Sequence, residues 1–199
     1  MIQMSLEEIV KGRRSIRKLT NEPEVPRSQI EEVIKLALHA PSAFNMQSGR
    51  LVVLTGAHHE QLWDIVTETL RARVPAEKFG ATQDRMNGFR AGAGTVLFFE
   101  DQALVKTTQE KSPPSYQAHF HNWSQQGSAI LQYAVWLGLT EQGLAASLQH
   151  YNPIIDEKVM REWEIPDDWA LVAQMPYGRP AETPGERTFL PYADVVKWH

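Results

Sequence analysis

The sequence predicts a layered α/β domain in which helices pack against a central, mixed β-sheet. Segments with helical apolar spacing alternate with short continuous apolar runs that have the length of buried strands. Hydrophobic residues make up 42% and charged residues 22% of the 199-residue chain, which is ordinary for a globular domain. Because no segment has the composition of a linker, we expect a single domain over residues 1–199.

The N-terminal part predicts two helices and a strand. Residues 4–12 carry apolar side chains on one helical face. Ser28 and Glu31 match a capping box, and the helix that follows stops at Pro41. The apolar run Leu51–Leu54 is typical of a strand covered on both faces.

The middle of the chain repeats this alternation. An apolar stripe that includes Leu62 predicts a third helix ending near Pro75, and a more polar fourth helix ends at the glycines of residues 92–94. Residues 95–99 are predicted to form the second buried strand. The Gly-Ala-Gly segment resembles part of a dinucleotide fingerprint, but it precedes a strand instead of following one, which excludes a Rossmann loop.

The C-terminal half predicts a loop, a long apolar helix and two strands. Residues 110–122 are assigned to a surface loop, and residues 123–139 to a helix that is hydrophobic nearly all round. Such a helix lies in the centre of a core or is shared with a second subunit. Asn152 and Pro153 are predicted as the N-cap and first residue of a further helix. The remaining strands are predicted at residues 145–149 and 169–175, the second followed by a Pro-Tyr-Gly-Arg-Pro turn.

The composition excludes several kinds of site and partner. Cysteine is absent, so there is no disulfide, thiolate nucleophile or cysteine-ligated metal. The histidines at 58–59, 119 and 121 lack carboxylates at ligand spacing, so no metal site is predicted. A formal net charge of -4 disfavours nucleic acid as a partner. No stretch approaches the roughly 20 apolar residues of a membrane span, so we expect a soluble, cytoplasmic protein with no membrane partner.

Two short segments suggest a ligand. Arg13-Arg14-Ser15-Ile16-Arg17 places three guanidinium groups and a hydroxyl within five residues, which suits a phosphate. Residues 40–48 add a hydroxyl and carboxamides able to bond the polar edge of a planar heterocycle. Taken singly, the first is typical of a basic helix end or a weak nucleic-acid patch, and the second of a helix stop and turn. Together, in this order, they suggest a phosphate-bearing ring system.

On these residues the chain resembles the nitroreductase superfamily, in particular its short fatty-acid-repression-mutant-like subgroup. Further similar stretches are residues 89–101, 123–126, 146–153 and 174–178. The resemblance implies an α+β sandwich, with a mostly antiparallel or mixed sheet flanked by helices, in a homodimer. It also implies FMN, and the absence of cysteine leads us to expect noncovalent binding.

The resemblance carries over to individual positions. In one subunit the FMN phosphate and ribityl chain would be held by Arg13, Arg14, Ser15, Arg17 and the C-terminal Arg187. The flavin would be reached from the other subunit by Pro41, Ser42, Asn45 and Gln47. The flavin ring would lie along Leu148, Gln149 and His150, and the substrate pocket would include Trp123.

The function implied is ping-pong electron transfer from NADH or NADPH, through FMN, to a small-molecule oxidant such as a nitroaromatic or a quinone. Because the flavin carries the redox chemistry, no catalytic residue of the protein's own is expected. Two alternatives stay open. One is a flavin-binding regulatory or stress- and lipid-signalling protein with incidental reductase activity. The other is a nucleic-acid binder, which the net charge disfavours.

Overall fold

The chain folds into an α+β structure of nine α-helices and five β-strands over the residues that the computed structural model describes, 4–199. The helices are α1 Leu6–Gly12, α2 Arg27–Ala37, α3 Gly56–Arg71, α4 Phe79–Arg90, α5 Gln102–Lys111, α6 Pro114–Gln117, α7 Phe120–Glu141, α8 Asp156–Glu162 and α9 Tyr192–Val195. The strands are β1 Leu19–Thr20, β2 Gly49–Thr55, β3 Gly94–Asp101, β4 Ala145–Ala146 and β5 Trp169–Pro180.

The sheet is antiparallel throughout its named strands. Its order is β1-β5-β3-β2, and β4 also pairs with β5. One isolated parallel bridge joins Ser15 to Ala146. The α+β arrangement that the resemblance implies, with helices flanking a mostly antiparallel sheet, is therefore confirmed. The mixed sheet predicted from the alternation of helices and strands was wrong, because all named strand pairs are antiparallel.

The central strand β3 is buried on both faces and divides the core into two layers. Val96 and Phe98 face the layer that contains α2 and α7. Leu97 and Phe99 face the layer that contains α3, α4 and α8. Since α7 contributes Val135 to the first layer, the apolar character of that helix is explained in part by its packing against the sheet.

The prediction that Leu51–Leu54 is covered on both faces was wrong. Among the described residues β2 is an edge strand that pairs with β3 alone, and Val53 is 38% exposed. A continuous apolar run does not distinguish a central strand from an edge strand.

The capping box predicted at Ser28 and Glu31 was also wrong. α2 begins at Arg27, so Ser28 lies inside the helix, and Glu31 accepts a hydrogen bond from Arg27 Nε at 2.8 Å. α2 ends at Ala37, before Pro41. A capping box does occur at the start of α1, where the Ser5 hydroxyl and the Glu8 carboxylate satisfy each other's backbone N–H groups.

Residues 110–122 are not a surface loop. α5 continues to Lys111, α6 covers residues 114–117, and α7 already begins at Phe120, whose side chain is fully buried. The prolines in this segment mark the start of α6 instead of an unstructured stretch, because proline is compatible with the first helical turn.

The predicted Pro-Tyr-Gly-Arg-Pro turn is part of β5. Tyr177 pairs with Ala146 and Gly178 with Ala145, and the carbonyl of Pro176 accepts a hydrogen bond from Ser147. A side chain at Gly178 would lie 2.7 Å from the carbonyl oxygen of Thr20, so this glycine permits close strand approach instead of a turn.

Two predictions around residues 145–153 require correction. Only Ala145–Ala146 forms a strand, while Gln149 makes an isolated bridge to Gln174. Pro153 does not start a helix, since α8 begins at Asp156. The Asn152 side chain instead accepts a hydrogen bond from Gln174 Nε2 at 3.3 Å.

Across residues 4–199, no helix combines the length and the apolarity that crossing a bilayer requires.

Candidate functional site

Two arginines from opposite ends of the chain meet at the end of α1. Arg13 caps that helix, and its guanidinium carbon lies 4.4 Å from the centre of the Trp136 ring of α7. Arg187 donates hydrogen bonds to the carbonyl oxygens of Arg13 at 3.4 Å and Lys11 at 3.3 Å. Burial, and secondly the charge of Arg187, lower the pKa of Arg13.

This cluster carries uncompensated positive charge. Arg14 donates to the carbonyl oxygen of Gly185, a neutral acceptor. Within residues 4–199, none of Arg13, Arg14 and Arg187 forms an ion pair with a carboxylate. Partly buried cations without a counter-charge favour an anionic ligand, and their forked donors suit a phosphate. The donor set therefore fits the phosphate end of FMN.

Ser15 and Arg17 continue the motif away from Arg13. Ser15 is exposed beside the bridge to Ala146. Arg17 lines a separate cleft of about 220 Å³ with Arg85 and Glu182. The backbone N–H of Arg17 donates to the Glu182 carboxylate at 2.8 Å, which fixes the chain direction there. Arg17 thus lies in a cleft of mixed charge, which also contains Asp84, and does not join the Arg13–Arg187 contact.

The second motif forms a tight loop with a left-handed backbone. Phe44, Asn45 and Gln47 have φ angles of +55°, +52° and +51°, which non-glycine residues rarely adopt. The Ser42 hydroxyl accepts a hydrogen bond from the backbone N–H of Gln47 at 2.8 Å and holds the loop closed. Pro41, Asn45 and Gln47 are exposed. Strained backbone of this kind is common at ligand sites.

A cavity of about 220 Å³ lies between this loop and the N-terminal half of α7. Its wall includes Ser42, Gln47, Ser48, Trp123 and Gly127. A side chain at Gly127 would touch Ser42 at 3.6 Å, so the glycine lets loop and helix approach closely. Trp123, predicted for a substrate pocket, lies in this wall.

Aromatic rings cluster beside Trp123. The Phe44 ring lies 5.9 Å from the Trp123 ring and 5.7 Å from the Tyr116 ring, measured between centroids. Phe120 lies 5.3 Å from Trp123, edge to face. Phe44 is 56% and Tyr116 45% exposed, so the cluster presents aromatic surface to solvent. Sequence reasoning missed Tyr116 and Phe120 because it assigned them to a loop.

The arginine cluster and the loop contact different parts of the same helix, α7. Arg13 stacks on Trp136, whereas the loop packs at Gly127. At 1.5 Å per residue, these two positions are about 14 Å apart along the axis of α7. The two predicted halves of the site therefore lie at separate places on one protomer.

Residues 148–150 follow the sheet as an extended segment held by one buried glutamine. Gln149 exchanges backbone hydrogen bonds with Gln174 at 2.7 and 2.9 Å. The Gln174 side chain also accepts from the backbone N–H of Tyr151 at 2.8 Å. Leu148 is half-buried, and His150 is exposed. Gln174 lies in a stretch that resembles the nitroreductase superfamily, but its role in positioning Gln149 and Tyr151 could not be inferred without the fold.

A buried carboxyl lies behind the loop. Glu100 of β3 is 4% exposed, and Ser48 donates its hydroxyl to Glu100 Oε1. Burial raises the pKa of Glu100, with a smaller contribution from Asp101, while Ser48 and Arg50 act against the increase. Ser48 lies in the predicted ligand segment, residues 40–48, although no role was assigned to it individually. Glu100 was not predicted as functional, because it follows an apolar run and was taken as the boundary of a strand.

We expect the stability of the protein to depend on pH through Glu100. A carboxyl with a raised folded-state pKa contributes stability below its ordinary range, and that stability is lost as pH rises through the raised value. The Glu100→Gln variant should therefore gain stability relative to the unmodified protein across that window and level off above it. Urea unfolding at a series of pH values would measure this, and a difference independent of pH would contradict it.

Histidine clusters offer no metal site within the described part of the chain. No group of three or more histidine, aspartate or glutamate side chains there could hold an ion. The His58 ring accepts from Trp163 Nε1 at 3.3 Å. Burial lowers the pKa of His59 to about 4, so this ring is neutral at neutral pH and bonds Thr95 at 2.9 Å.

The chain is similar to known proteins over most of its length. A profile described as "Nitroreductase family" matches residues 10–179. HBN1 of Saccharomyces cerevisiae is 32% identical over 187 residues, 90% of each chain. The nitroreductase FRM2 of the same organism is 27% identical over 186 residues, 91% of each chain.

Solved structures share the fold. The nitroreductase CinD from Lactococcus lactis in complex with nicotinic acid has a TM-score of 0.90 and 42% identity, and the match covers 98% of this chain and 100% of that one. CinD has also been solved with 4-nitrophenol and with chloramphenicol. A protein of Exiguobacterium sibiricum in complex with FMN shares the fold, with a TM-score of 0.75 at 15% identity over 98% of both chains.

Proposed function

Because the chain belongs to the nitroreductase family, as its two motifs predicted, we propose that it is an FMN-dependent oxidoreductase that passes electrons from NADH or NADPH to nitroaromatic compounds or quinones. The observation that carries this proposal is the uncompensated cluster of Arg13, Arg14 and Arg187. The complex of CinD with 4-nitrophenol supports a nitroaromatic oxidant. A cytoplasmic location would give access to both nicotinamides.

Each part of the proposed site has its own role. The arginine cluster would hold the FMN phosphate, and Ser15 and Arg17 would continue along the ribityl chain. The extended backbone of residues 148–150 would lie along the ring. When bound, FMN supplies the redox chemistry, by accepting a hydride from the nicotinamide and passing it to the oxidant.

The loop and the aromatic cluster would select and orient the oxidant. Phe44, Tyr116 and Trp123 offer flat apolar surface on which an aromatic ring can stack. The hydroxyl of Ser42 and the carboxamide of Gln47 provide polar groups in the wall of the cavity that Trp123 also lines. A planar ring with polar substituents fits this combination.

We further propose that the protein is a homodimer, with the arginine cluster of one protomer and the loop of the other at each site. The separation of these parts along α7 supports this arrangement. So does exposed apolar surface that a single copy leaves uncovered. It comprises Leu36, Leu38, Ile130, Tyr133, Phe189, Leu190, Tyr192, Val195 and Trp198. The last five belong to the C-terminal segment and are 61–83% exposed, as expected of an arm that packs on a second copy.

We also propose that each protomer forms a single domain and that the protein has no nucleic-acid partner.

The experiment that tests the function separates two half-reactions. Under anaerobic conditions, NADH or NADPH should bleach the yellow colour of the purified protein. Nitrobenzene or 1,4-benzoquinone, added afterwards, should restore it. A colourless protein that binds no added FMN, or a flavin that neither nicotinamide reduces, would refute the proposed activity.

We expect FMN to be bound noncovalently, since the chain has no cysteine for thioether attachment and the proposed contacts are ionic and hydrogen-bonded. Denaturation followed by filtration should therefore release all of the chromophore into the filtrate. Colour that stays with the polypeptide would contradict this expectation.

A further inference from the structure

Glu100 and Ser48 form a buried pair with one free acceptor. Ser48 is 4% exposed, like Glu100, and its hydroxyl contacts Glu100 Oε1. The other carboxyl oxygen, Oε2, is buried and has no hydrogen-bond partner within residues 4–199. Burying an ionised carboxylate with one oxygen that accepts no hydrogen bond costs free energy, and this cost is smaller when the carboxyl group carries a proton.

The pair lies between two cavities. Ser48 lines the cavity of about 220 Å³ next to Trp123 and the loop. Glu100 lines a second cavity of about 400 Å³, whose wall also contains His121. Ser124 and Ser128 line both cavities, so the two cavities are neighbours along the N-terminal half of α7.

The neighbouring charges do not neutralise Glu100. Arg50, on β2, bonds the adjacent Asp101 carboxylate at 2.9 Å instead. From α7, His121 is the titratable side chain in the wall of the second cavity. Asp101 adds to the effect of burial on the Glu100 pKa, which exceeds the opposing effects of Ser48 and Arg50. Glu100 can therefore keep a proton at a pH at which an ordinary glutamate has lost it.

Reduction of either proposed class of oxidant consumes such a proton. A nitro group that takes one hydride and one proton becomes a nitroso group and water. A quinone that takes the same pair becomes a hydroquinone. In both cases the hydride brings the two electrons, and the proton must come from elsewhere.

We propose that Glu100, acting through the Ser48 hydroxyl, supplies this proton to an oxidant in the smaller cavity and is reprotonated by water from the larger one, an inference that rests on the proposed oxidoreductase function. In the structure Ser48 donates to Glu100 Oε1. When Glu100 is protonated on Oε1 this hydrogen bond reverses, so that Oε1–H donates to Ser48 Oγ and the serine hydrogen turns towards the smaller cavity. As that serine O–H bond breaks and the oxidant oxygen gains the proton, the carboxyl proton moves to Ser48. Glu100 remains as a carboxylate until water protonates it.

The protonation state can be tested without flavin or turnover. Infrared spectra of the flavin-free protein, recorded at a series of pH values, should contain the band of a protonated carboxyl group above the pH at which an exposed glutamate has lost its proton. Glu100→Gln should remove this band, and Glu162→Gln, at an exposed glutamate of α8, should leave it. A spectrum without the band, or one in which it survives Glu100→Gln, would overturn the proposal.

Stopped-flow measurements of the two half-reactions test the transfer itself. Flavin reduction by NADH consumes no proton from the protein and should be unchanged in Glu100→Gln and Ser48→Ala. Reoxidation of the unmodified protein by 1,4-benzoquinone should decline at high pH. In both variants it should slow at least about tenfold and should lose this decline. The Glu162→Gln control should match the unmodified protein.

The outcomes are distinguishable. If the unmodified protein is not reduced by either nicotinamide, the proposed function fails. If it turns over normally and Glu100→Gln is reoxidised at the same rate and with the same pH profile, the proton-transfer role fails while the function stands. Equal slowing of both half-reactions would indicate a structural role and would also overturn the proposal.

Discussion

Replacing Arg13 by alanine is expected to weaken FMN binding by about 1.5 to 3 kcal/mol, the net contribution of a hydrogen bond to a charged group. This corresponds to roughly ten- to hundredfold in the dissociation constant. Arg13 is half-buried against Trp136 and forms no ion pair within the described part of the chain, so no intramolecular carboxylate competes with a phosphate for it. Quenching of FMN fluorescence on titration with the flavin-free protein would measure the change.

Arg27→Ala is the matched control, because Arg27 is an exposed arginine paired with Glu31 on α2. Its FMN affinity should equal that of the unmodified protein. Arg13→Lys should give an intermediate affinity, since lysine keeps the charge but loses the fork. Unchanged affinity in Arg13→Ala, with an unchanged melting temperature of the flavin-free protein, would remove Arg13 from the site.

The same variant tests the shared site. A heterodimer of an Arg13→Ala subunit and an Asn45→Ala subunit should contain one intact site and one doubly defective site, so mixing two impaired proteins should restore activity. If the arginine cluster and the loop served a flavin within one protomer, no mixture would contain an intact site. A flavin-loaded, fully active monomer in light scattering would also refute the shared arrangement.

Replacing Gly94 by alanine is expected to destabilise the fold by about 3 kcal/mol, at the upper end for overpacking a core. The added Cβ would lie 2.6 Å from Cζ of Tyr177 and 2.7 Å from the carbonyl oxygen of Leu54. Tyr177 of β5 is 1% exposed and pairs with β3 and β4, and the Leu54 carbonyl belongs to the β2–β3 ladder, so neither can move without disturbing the sheet. Urea unfolding would measure the loss.

Gly80→Ala provides the control for this change. Gly80 lies in α4, and no heavy atom is within 4 Å of the position that its Cβ would take. That variant should be as stable as the unmodified protein or more stable by up to about 1 kcal/mol, because alanine favours the helix. Equal effects of the two substitutions would show that contact with Tyr177 and Leu54 is not the cause.

The sequence predicted those parts of the fold that depend on side-chain periodicity. α3, α4, α7 and β3 were expected because their apolar residues recur at helical or strand spacing. The C-terminal half of β5 was missed because Pro176 and Gly178 resemble a turn. In the structure Gly178 lies where β5 pairs closely with β1 at Thr20, and a side chain there would meet the Thr20 carbonyl. This requirement comes from the packing of two distant segments, so no local sequence pattern contains it.

The candidate site shows the same division. The segments containing Arg13 and Asn45 could be recognised because their polar groups are adjacent in the chain. The roles of Glu100 and Gln174 depend on their burial in the fold. Glu100 is buried, which removes solvent from its carboxyl group, and the buried Gln174 forms the hydrogen bonds that hold the backbone of Gln149. Burial of a single polar side chain depends on contacts between distant segments, and a sequence gives no direct measure of it.

The left-handed backbone at Phe44, Asn45 and Gln47 has a thermodynamic consequence for ligand binding. Its conformational cost is met when the chain folds, since the Ser42 hydroxyl accepts the Gln47 N–H within the loop itself, through a contact that needs no ligand. A molecule entering the neighbouring cavity therefore meets a wall that is already ordered, and association loses little backbone entropy there. The affinity of a rigid molecule for this wall then depends on how well its shape matches the wall. The folded loop therefore already determines which flat aromatic compounds bind more tightly than others.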